Sequence, residues 1–178
     1  MSLQGNAYQS SQYPTLNPLL AVDTTLIHFD VRKKPVDAIH PSALCSDPAT
    51  LVPAVPGTTH VRLMSKAIPW AIEVIVPYGN IVTCEMVWDA IYEALQEPIA
   101  DSEWALIMSD KWRKSAVLRA AEKRQDAGDP VTKLKRVDWL GDSATFKGLE
   151  RDEHFERQRL LPGDDPCYET WVMKFGSS

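Results

Sequence analysis

The sequence lacks the patterns by which most enzyme and membrane-protein classes are recognised. It has no apolar run approaching the roughly 18 residues that a membrane-spanning helix needs, so no membrane association is expected. Glycine-rich phosphate loops, dinucleotide-binding fingerprints and the G-x-S-x-G nucleophile motif are all absent. The four histidines show neither H-x-x-x-H nor H-E-x-x-H spacing. The sequence therefore predicts no metal site and no cofactor.

Cysteine is scarce as well, and no secretory signal is recognisable. The three cysteines, Cys45, Cys84 and Cys167, form no C-x-x-C pair, which fits a reducing compartment better than a disulfide framework. The N-terminus has no basic stretch followed by an apolar one. A net charge of −5 argues against a dedicated nucleic-acid binder. We therefore expect an intracellular protein, cytoplasmic or nuclear, for which nucleic acid is not the expected main partner.

What the sequence does contain is the composition of one globular domain. Hydrophobic residues make up 44% and charged residues 24% of the 178 residues, which is enough apolar material to bury a core. Residues 1–24 are predicted to form a disordered or extended arm, residues 25–175 the domain, and residues 176–178 a tail. Five prolines between residues 35 and 57 predict a long irregular connection, because proline fixes φ and removes a backbone donor.

The remaining pattern predicts an α+β fold. Alternation indicates strands over residues 25–31, 59–66, 70–76 and 169–175. Helical periodicity follows Thr83, whose hydroxyl can cap a helix, and a break at residues 109–110 separates two further helical runs. A short helix is also predicted near residues 152–161. We expect a mainly antiparallel sheet of about five to six strands, with two or three helices packed on one face.

Residues 136–152 are predicted to form a β-hairpin on which the sheet is organised. Val137 and Trp139 alternate with more polar positions, so Asp138 is expected on the solvent side. Residues 141–143 supply turn chemistry, and a return strand follows them. Gly148 within that strand predicts a bulge or the close approach of another backbone segment.

Five segments, in order, resemble a known family. They are residues 68–74, 87–92, 136–141, 146–152 and 169–172, and residues 30–32 add a further match. The segments are similar to a domain of unknown function, number 6699, that is abundant in mushroom-forming basidiomycete fungi. The resemblance spans about residues 25–175. It implies a single domain and a fungal origin, and it implies no activity, because the family has none assigned.

Tryptophan and basic residues suggest an interaction surface. Trp104, Met108 and Trp112 recur at i, i+4 and i+8 beside a basic face. Core packing is the commoner reason for such a stripe, but with Arg113 and Lys114 it is our candidate interface. Residues 111–136 contain nine Lys or Arg and three acidic residues, a charge of +6, which leaves −11 for the rest of a chain whose total is −5. An anionic partner is one reason for such a charge asymmetry, but an ordinary solvated helix face is the commoner one.

A polar cluster is the second candidate site. Asp138, Glu150, Arg151, Asp152 and His154 are predicted to gather at the end of the hairpin. An Arg151 that ties two strand ends together would account for the same residues without any function. No nucleophile with an adjacent base is recognisable, so no catalytic residue is predicted.

Three hypotheses follow from these features. The first is a non-enzymatic module that acts through a protein partner or self-association. The second is a small-molecule binder or enzyme with a cleft near residues 136–152. The third is weak binding of anionic polymers by residues 111–136.

Overall fold

A mixed sheet forms the centre of the protein. The computed structural model describes residues 12–39, 53–160, 163 and 167–177, and within them the sheet has five strands. The strands are β1 (Phe29–Asp30), β2 (His60–Met64), β3 (Ile72–Ile75), β4 (Thr145–Glu150) and β5 (Thr170–Gly176). Their order is β1-β4-β5-β2-β3, and β2 and β5 run parallel whereas the other neighbours are antiparallel.

Helices connect these strands. They are α1 (Pro35–Ala38), α2 (Cys84–Gln96), α3 (Asp101–Met108), α4 (Lys111–Asp126) and α5 (Glu153–Arg159), with a 3-10 helix at Arg136–Leu140. The Thr83 hydroxyl caps α2 by accepting from Met86 N at 3.2 Å. The Asp110 carboxylate caps α4 by accepting from the backbone N of Trp112 at 2.9 Å. These caps satisfy first-turn donors that have no partner inside a helix, and they confirm both predicted helix starts.

The core lies between the sheet and α2. The apolar stripe of this helix packs towards β3 and the 3-10 helix and consists of Val87, Trp88, Ile91 and Leu95, all buried. Strands β2 and β3 place Val61, Leu63, Ile72 and Val74 on one face by alternation, and these side chains are buried as well. Trp88 and Trp139, which are 1% and 8% exposed, both belong to this core.

The α+β class is confirmed, but two of its details are wrong. The sheet is mixed rather than mainly antiparallel, because β5 enters between β4 and β2 and runs parallel to β2. The described residues also contain five α-helices rather than two or three. Alternation shows which side of a strand is buried, but it carries no information on which strand becomes the neighbour.

The predicted hairpin at residues 136–152 is also wrong. Its first arm is the 3-10 helix Arg136–Leu140, and its second arm, β4, pairs with β1 and β5 instead. Asp138, expected in solvent, is only 2% exposed. Because Val137 through Leu140 are all buried, the segment has no solvent face and its apparent alternation is accidental.

The Gly148 prediction is confirmed. The register between β4 and β5 shifts between Phe146 and Gly148, and Gly148 has a φ of +120°. Val22 lies against it, so that a Cβ at this position would be 2.7 Å from the Val22 Cα. The backbone N of Val22 donates to the Leu149 carbonyl at 2.9 Å, and Leu149 N donates to the Leu20 carbonyl at 2.7 Å. The bulge thus leaves room for a second backbone segment, which forms hydrogen bonds with β4.

That second segment belongs to the predicted N-terminal arm. Residues 12–24 lie against the sheet, and Leu16, Leu20 and Ala21 are buried there. The remainder of the predicted arm, residues 1–11, lies outside the described residues. So do residues 40–52 of the predicted proline-rich connection, whose described parts include α1. No helix in the described part of the chain is long and apolar enough to cross a bilayer.

Candidate functional site

The predicted Trp–Met–Trp stripe is divided by the break between α3 and α4. Trp104 is partly buried and packs against the core, whereas Met108 is 50% exposed and Trp112 is 88% exposed. Leu106, which does not stand out in the sequence pattern, is 55% exposed as well. Three large apolar side chains therefore face solvent within residues 106–112. An exposed tryptophan of this kind is a typical feature of interaction surfaces.

Basic side chains flank these apolar residues. Lys111 and Arg113 are exposed, and Lys114 is half-buried. The Arg113 guanidinium lies 5.2 Å from the centre of the Trp139 ring, so Arg113 also contacts the core edge. We use the term α3–α4 corner for Leu106, Met108, Lys111, Trp112, Arg113 and Lys114.

Several basic side chains in the rest of residues 111–136 form ion pairs that connect elements of the fold. Within the described residues, four of its nine basic side chains pair with carboxylates; these are Lys123, Arg124, Lys135 and Arg136. Arg136 bridges two helices by binding Glu97 and Glu103. These pairs lower the positive field expected from the sequence and weaken the hypothesis of anionic-polymer binding.

The Arg124–Asp138 pair is the buried member of this group. The guanidinium donates from Nε and Nη2 to the two carboxylate oxygens, each at 2.9 Å, and also donates to the carbonyls of Val131 and Lys133. The Asp138 carboxylate also accepts from Lys135 N at 2.8 Å. The hydrogen bond to Asp138 raises the pKa of Arg124 above its ordinary value. One bidentate pair thus attaches α4 to the 3-10 helix and to the connection between them.

Asp129 next to this pair predicts a measurable pH dependence. Its carboxylate accepts from Lys135 Nζ at 2.6 Å and from Val131 N at 2.9 Å, which lowers the pKa of Asp129 to about 2. Because this folded-state pKa is below the ordinary value of 3.8, the stabilisation is complete above about pH 4 and is lost as the pH falls towards 2. We expect Asp129→Asn to melt below the wild type near neutral pH, with a difference that shrinks between about pH 4 and pH 2. Thermal denaturation at a series of pH values tests this, and a difference independent of pH would contradict it.

The predicted polar cluster does not assemble as one site. Asp138 belongs to the Arg124 pair, and Glu150 pairs with Lys174 on β5 at 3.0 Å. Asp152 caps α5 by accepting from Phe155 N at 3.0 Å and binds Lys66 at 2.7 Å. His154 contacts Gln158 one helical turn away, at 3.0 Å. Four of the five residues therefore have separate structural partners.

Arg151 is the residue of that cluster which lines a cavity. Its guanidinium lies 4.7 Å from the centre of the Trp171 ring and donates to the Tyr168 carbonyl at 2.5 Å. It thereby ties the end of β4 to the segment before β5, which is the structural role that its place in the sequence suggests. The same side chain borders a cleft of about 250 Å³, together with Met64, Glu156, Leu160, Cys167 and Thr170.

Glu156 gives this cleft an unusual polar group. Its Oε1 atom is buried and has no hydrogen-bond partner among the described residues. Burial raises the pKa of Glu156 above its ordinary value, because the charged form is poorly solvated there. A ligand that donates a hydrogen bond would satisfy this oxygen.

A second cleft of about 260 Å³ adjoins the first at Cys167 and Tyr168. Its other lining residues are Gly57, Thr58, Thr59, His60 and Glu169. Here the Cys167 Sγ atom lies 3.7 Å from His60 Nδ1, and His60 Nε2 lies 2.5 Å from a Glu73 carboxylate oxygen. Arg62 binds the other oxygen of Glu73 at 2.5 Å. The Cys167 thiol, the His60 imidazole and the Glu73 carboxylate therefore form a row of three successive contacts. The sequence did not predict this arrangement.

The strand pairing explains how these groups meet. Arg62 and Glu73 are paired across β2 and β3, and alternation places His60 on the same face as Arg62. The parallel pairing of β5 with β2 places Thr170 beside Arg62, so the residues just before β5 reach His60. Thr170 Oγ1 donates to the Cys167 carbonyl at 2.7 Å and fixes this approach. In the described part of the chain, no group of three or more His, Cys, Asp or Glu side chains is arranged to hold a metal ion.

Comparison with known proteins identifies the family. Residues 27–158 match the model of a family described as "Family of unknown function (DUF6699)". The chain belongs to this family. The DUF6699 match includes β1 to β4, the α3–α4 corner, His60 and Glu73, whereas Cys167 and β5 lie beyond it. No curated protein and no solved structure matches the chain.

Proposed function

We propose that the protein is an interaction module which binds an acidic protein segment through the α3–α4 corner. The observation that carries this proposal is the exposure of Trp112, at 88%. A tryptophan side chain gains a large apolar contact area when it enters a partner's pocket, and such residues supply much of the binding energy of protein interfaces. Met108 and Leu106 provide further apolar surface beside it.

The charge of the corner supports an acidic partner. Lys111, Arg113 and Lys114 are neighbours of Trp112 in the first turn of α4, and the carboxylate of Asp110 is occupied as the cap of that helix. A partner with carboxylates around an apolar anchor would complement this surface, and opposite potentials favour both association rate and specificity.

The corner is also held in a fixed shape. Ile107 and Val117 are fully buried on either side of the break, so both helix ends are anchored in the core. A surface that does not have to become ordered on binding loses less conformational entropy, which favours affinity. An intracellular location belongs to the same proposal, because the sparse and unpaired cysteine pattern suits a reducing compartment.

Replacing Trp112 by alanine tests the proposal. A photo-crosslinking residue at the exposed position of Ser115, one turn beyond Trp112 on α4, would first identify the partner segment in the native host, and the isolated segment would then be titrated by calorimetry. We expect Trp112→Ala to weaken binding roughly 30-fold, about 2 kcal/mol, without lowering the melting temperature, because the indole is exposed in the folded protein.

Two controls make this result specific. Tyr78→Ala removes another exposed aromatic side chain, from the turn after β3, and should leave the affinity unchanged. Sedimentation of the protein alone shows whether the acidic partner is a second copy of this chain. Equal affinity of the wild type and Trp112→Ala would refute the assignment of this surface.

The cleft at Arg151 favours a second candidate function, the binding of a small molecule. The observation behind it is the partnerless Glu156 Oε1 atom beside Arg151 in a cleft of about 250 Å³. Native mass spectrometry compared with the denatured mass tests this candidate. A released mass would support it, and Glu156→Ala should then abolish the bound species.

A further inference from the structure

We propose that Cys167, His60 and Glu73 form a nucleophilic site that accepts an acyl group from a small ester or thioester. The site lies on different elements from the α3–α4 corner, and it is independent of the proposed interaction. Its basis is the row of three side chains, each within hydrogen-bonding distance of the next, together with the two clefts that meet at Cys167.

The hydrogen-bond donors and acceptors of this row are arranged as a thiol nucleophile requires. His60 faces the thiol with Nδ1 and the carboxylate with Nε2. A carboxylate is an acceptor only, so Glu73 favours the tautomer whose proton is on Nε2 and leaves Nδ1 able to accept the thiol proton. Arg62 holds the second oxygen of Glu73 and keeps the carboxylate in place. Glu73 is therefore a positioning residue, whereas His60 is the base.

The reaction proceeds in two balanced steps. The thiol proton moves to His60 Nδ1 as the sulfur attacks the carbonyl carbon, and the carbonyl π electrons move to oxygen. When the carbonyl re-forms, the bond to the leaving alcohol or thiol breaks, and that group departs with the proton from His60. The product is an acyl thioester on Cys167. Water deprotonated by His60 then attacks the thioester, which releases a carboxylic acid and restores the thiol.

The leaving group and the acyl group of the substrate can each be assigned to one of the two clefts. His60 must reach the leaving atom, so the leaving group occupies the cleft that His60 lines with Thr58 and Thr59. The acyl group then occupies the other cleft, where Met64 and Leu160 provide apolar contacts. Each cleft is smaller than the ~300–1,000 Å³ of sites for drug-sized ligands, which favours a short acyl chain.

The reaction with 4-nitrophenyl acetate tests this proposal. We expect a burst of 4-nitrophenolate and one acetyl group on Cys167, located by peptide mass mapping. His60→Gln should acylate roughly 10²–10⁴-fold more slowly, the usual contribution of a positioned base. Glu73→Gln should show a smaller loss, with a displaced pH dependence of acylation, because an amide side chain lacks the charge that orients the imidazole. Cys167→Ser should lose the burst of 4-nitrophenolate, because a serine hydroxyl is a much weaker nucleophile than the cysteine thiol beside the same base.

Cys84 provides an internal control of folding. It is only 2% exposed, so iodoacetamide should modify it slowly in every folded variant. If Cys84 becomes reactive in His60→Gln, the comparison rests on Glu73→Gln and on the wild-type burst. Acetylation of lysines without acetylation of Cys167 would overturn the proposal. Equal acylation rates in the wild type and a folded His60→Gln variant would overturn it too.

Discussion

Asp138→Ala is expected to lower the free energy of unfolding by about 2–4 kcal/mol, because it removes the bidentate partner of a buried guanidinium and leaves only the single contact with Asp129, at 3.1 Å, as a counter-charge among the described residues. Arg124 is 8% exposed and Asp138 is 2% exposed, so solvent cannot replace the carboxylate. The same carboxylate accepts a backbone hydrogen bond from Lys135, and that donor would be orphaned as well. Since a domain's total stability is about 5–15 kcal/mol, the loss is a large share of it.

Urea denaturation of three variants measures this effect. Asp142→Ala breaks the exposed pair with Lys123 and is the matched control; little or no loss of stability is expected there, because solvent screens an exposed ion pair. The double variant Arg124→Met with Asp138→Leu should recover part of the loss, because apolar residues of similar size replace both charges. If Asp138→Ala and Asp142→Ala prove equally stable, the buried pair does not have the role described for it.

Gly148→Ala is expected to cost about 2–5 kcal/mol, because it combines backbone strain with overpacking. At a φ of +120° an L side chain is strained even in open space. The new methyl group would also lie 2.7 Å from the Val22 Cα and 2.9 Å from its N, and neither backbone atom can rotate away. The segment of residues 12–24 would therefore have to separate from β4.

Gly128→Ala separates these two contributions. Gly128 has a φ of +101°, but a Cβ there meets no atom within 4 Å. Its substitution should show conformational strain alone, about 1 kcal/mol, and hydrogen exchange at Val22 should stay slow. In Gly148→Ala the exchange at Val22 N should accelerate, since its hydrogen bond to Leu149 opens. Equal losses of stability in the two variants would contradict the close-packing argument.

Features that depend on neighbouring residues could be predicted from the sequence. Thr83 and Asp110 cap their helices with side-chain oxygens that reach only two or three residues ahead, so their pattern is local. The bulge at Gly148 is predictable because a glycine inside a strand pattern weakens the strand unless its missing side chain makes room for another backbone segment. The break at residues 109–110 is predictable for the same reason, because it depends on neighbouring residues alone.

The hairpin prediction is wrong for a reason that lies outside the segment. Four residues of alternating character are too few to distinguish a strand from a 3-10 helix, and the partner of Asp138 decides the outcome. A signal is nevertheless present in α4. Val117, Ala121 and Arg124 follow i, i+4, i+7 spacing, which places an arginine on the buried stripe and requires a buried acceptor.

Contacts between distant parts of the chain have no signal in the sequence. Cys167 and His60 are 107 positions apart, and they meet only because β5 runs parallel to β2. The exposure of Trp112 likewise depends on which side of α4 packs against the core, and the sequence of this helix does not determine that side. Its position in the sequence resembles that of Trp104, which packs on the core. The division of the candidate interface into a buried and an exposed part therefore required the structure.

The central position of β5 affects the order in which the protein can fold during synthesis. Strands β1 and β4 lie on one side of β5, strands β2 and β3 lie on the other, and no strand pairing within the described residues joins the two groups directly. Translation delivers residues 170–176 after every other described strand, so the sheet cannot close until they leave the ribosome. Before that moment, β2 and β4 each expose an unpaired edge. A stalled nascent chain is consequently the form of this protein most exposed to aggregation.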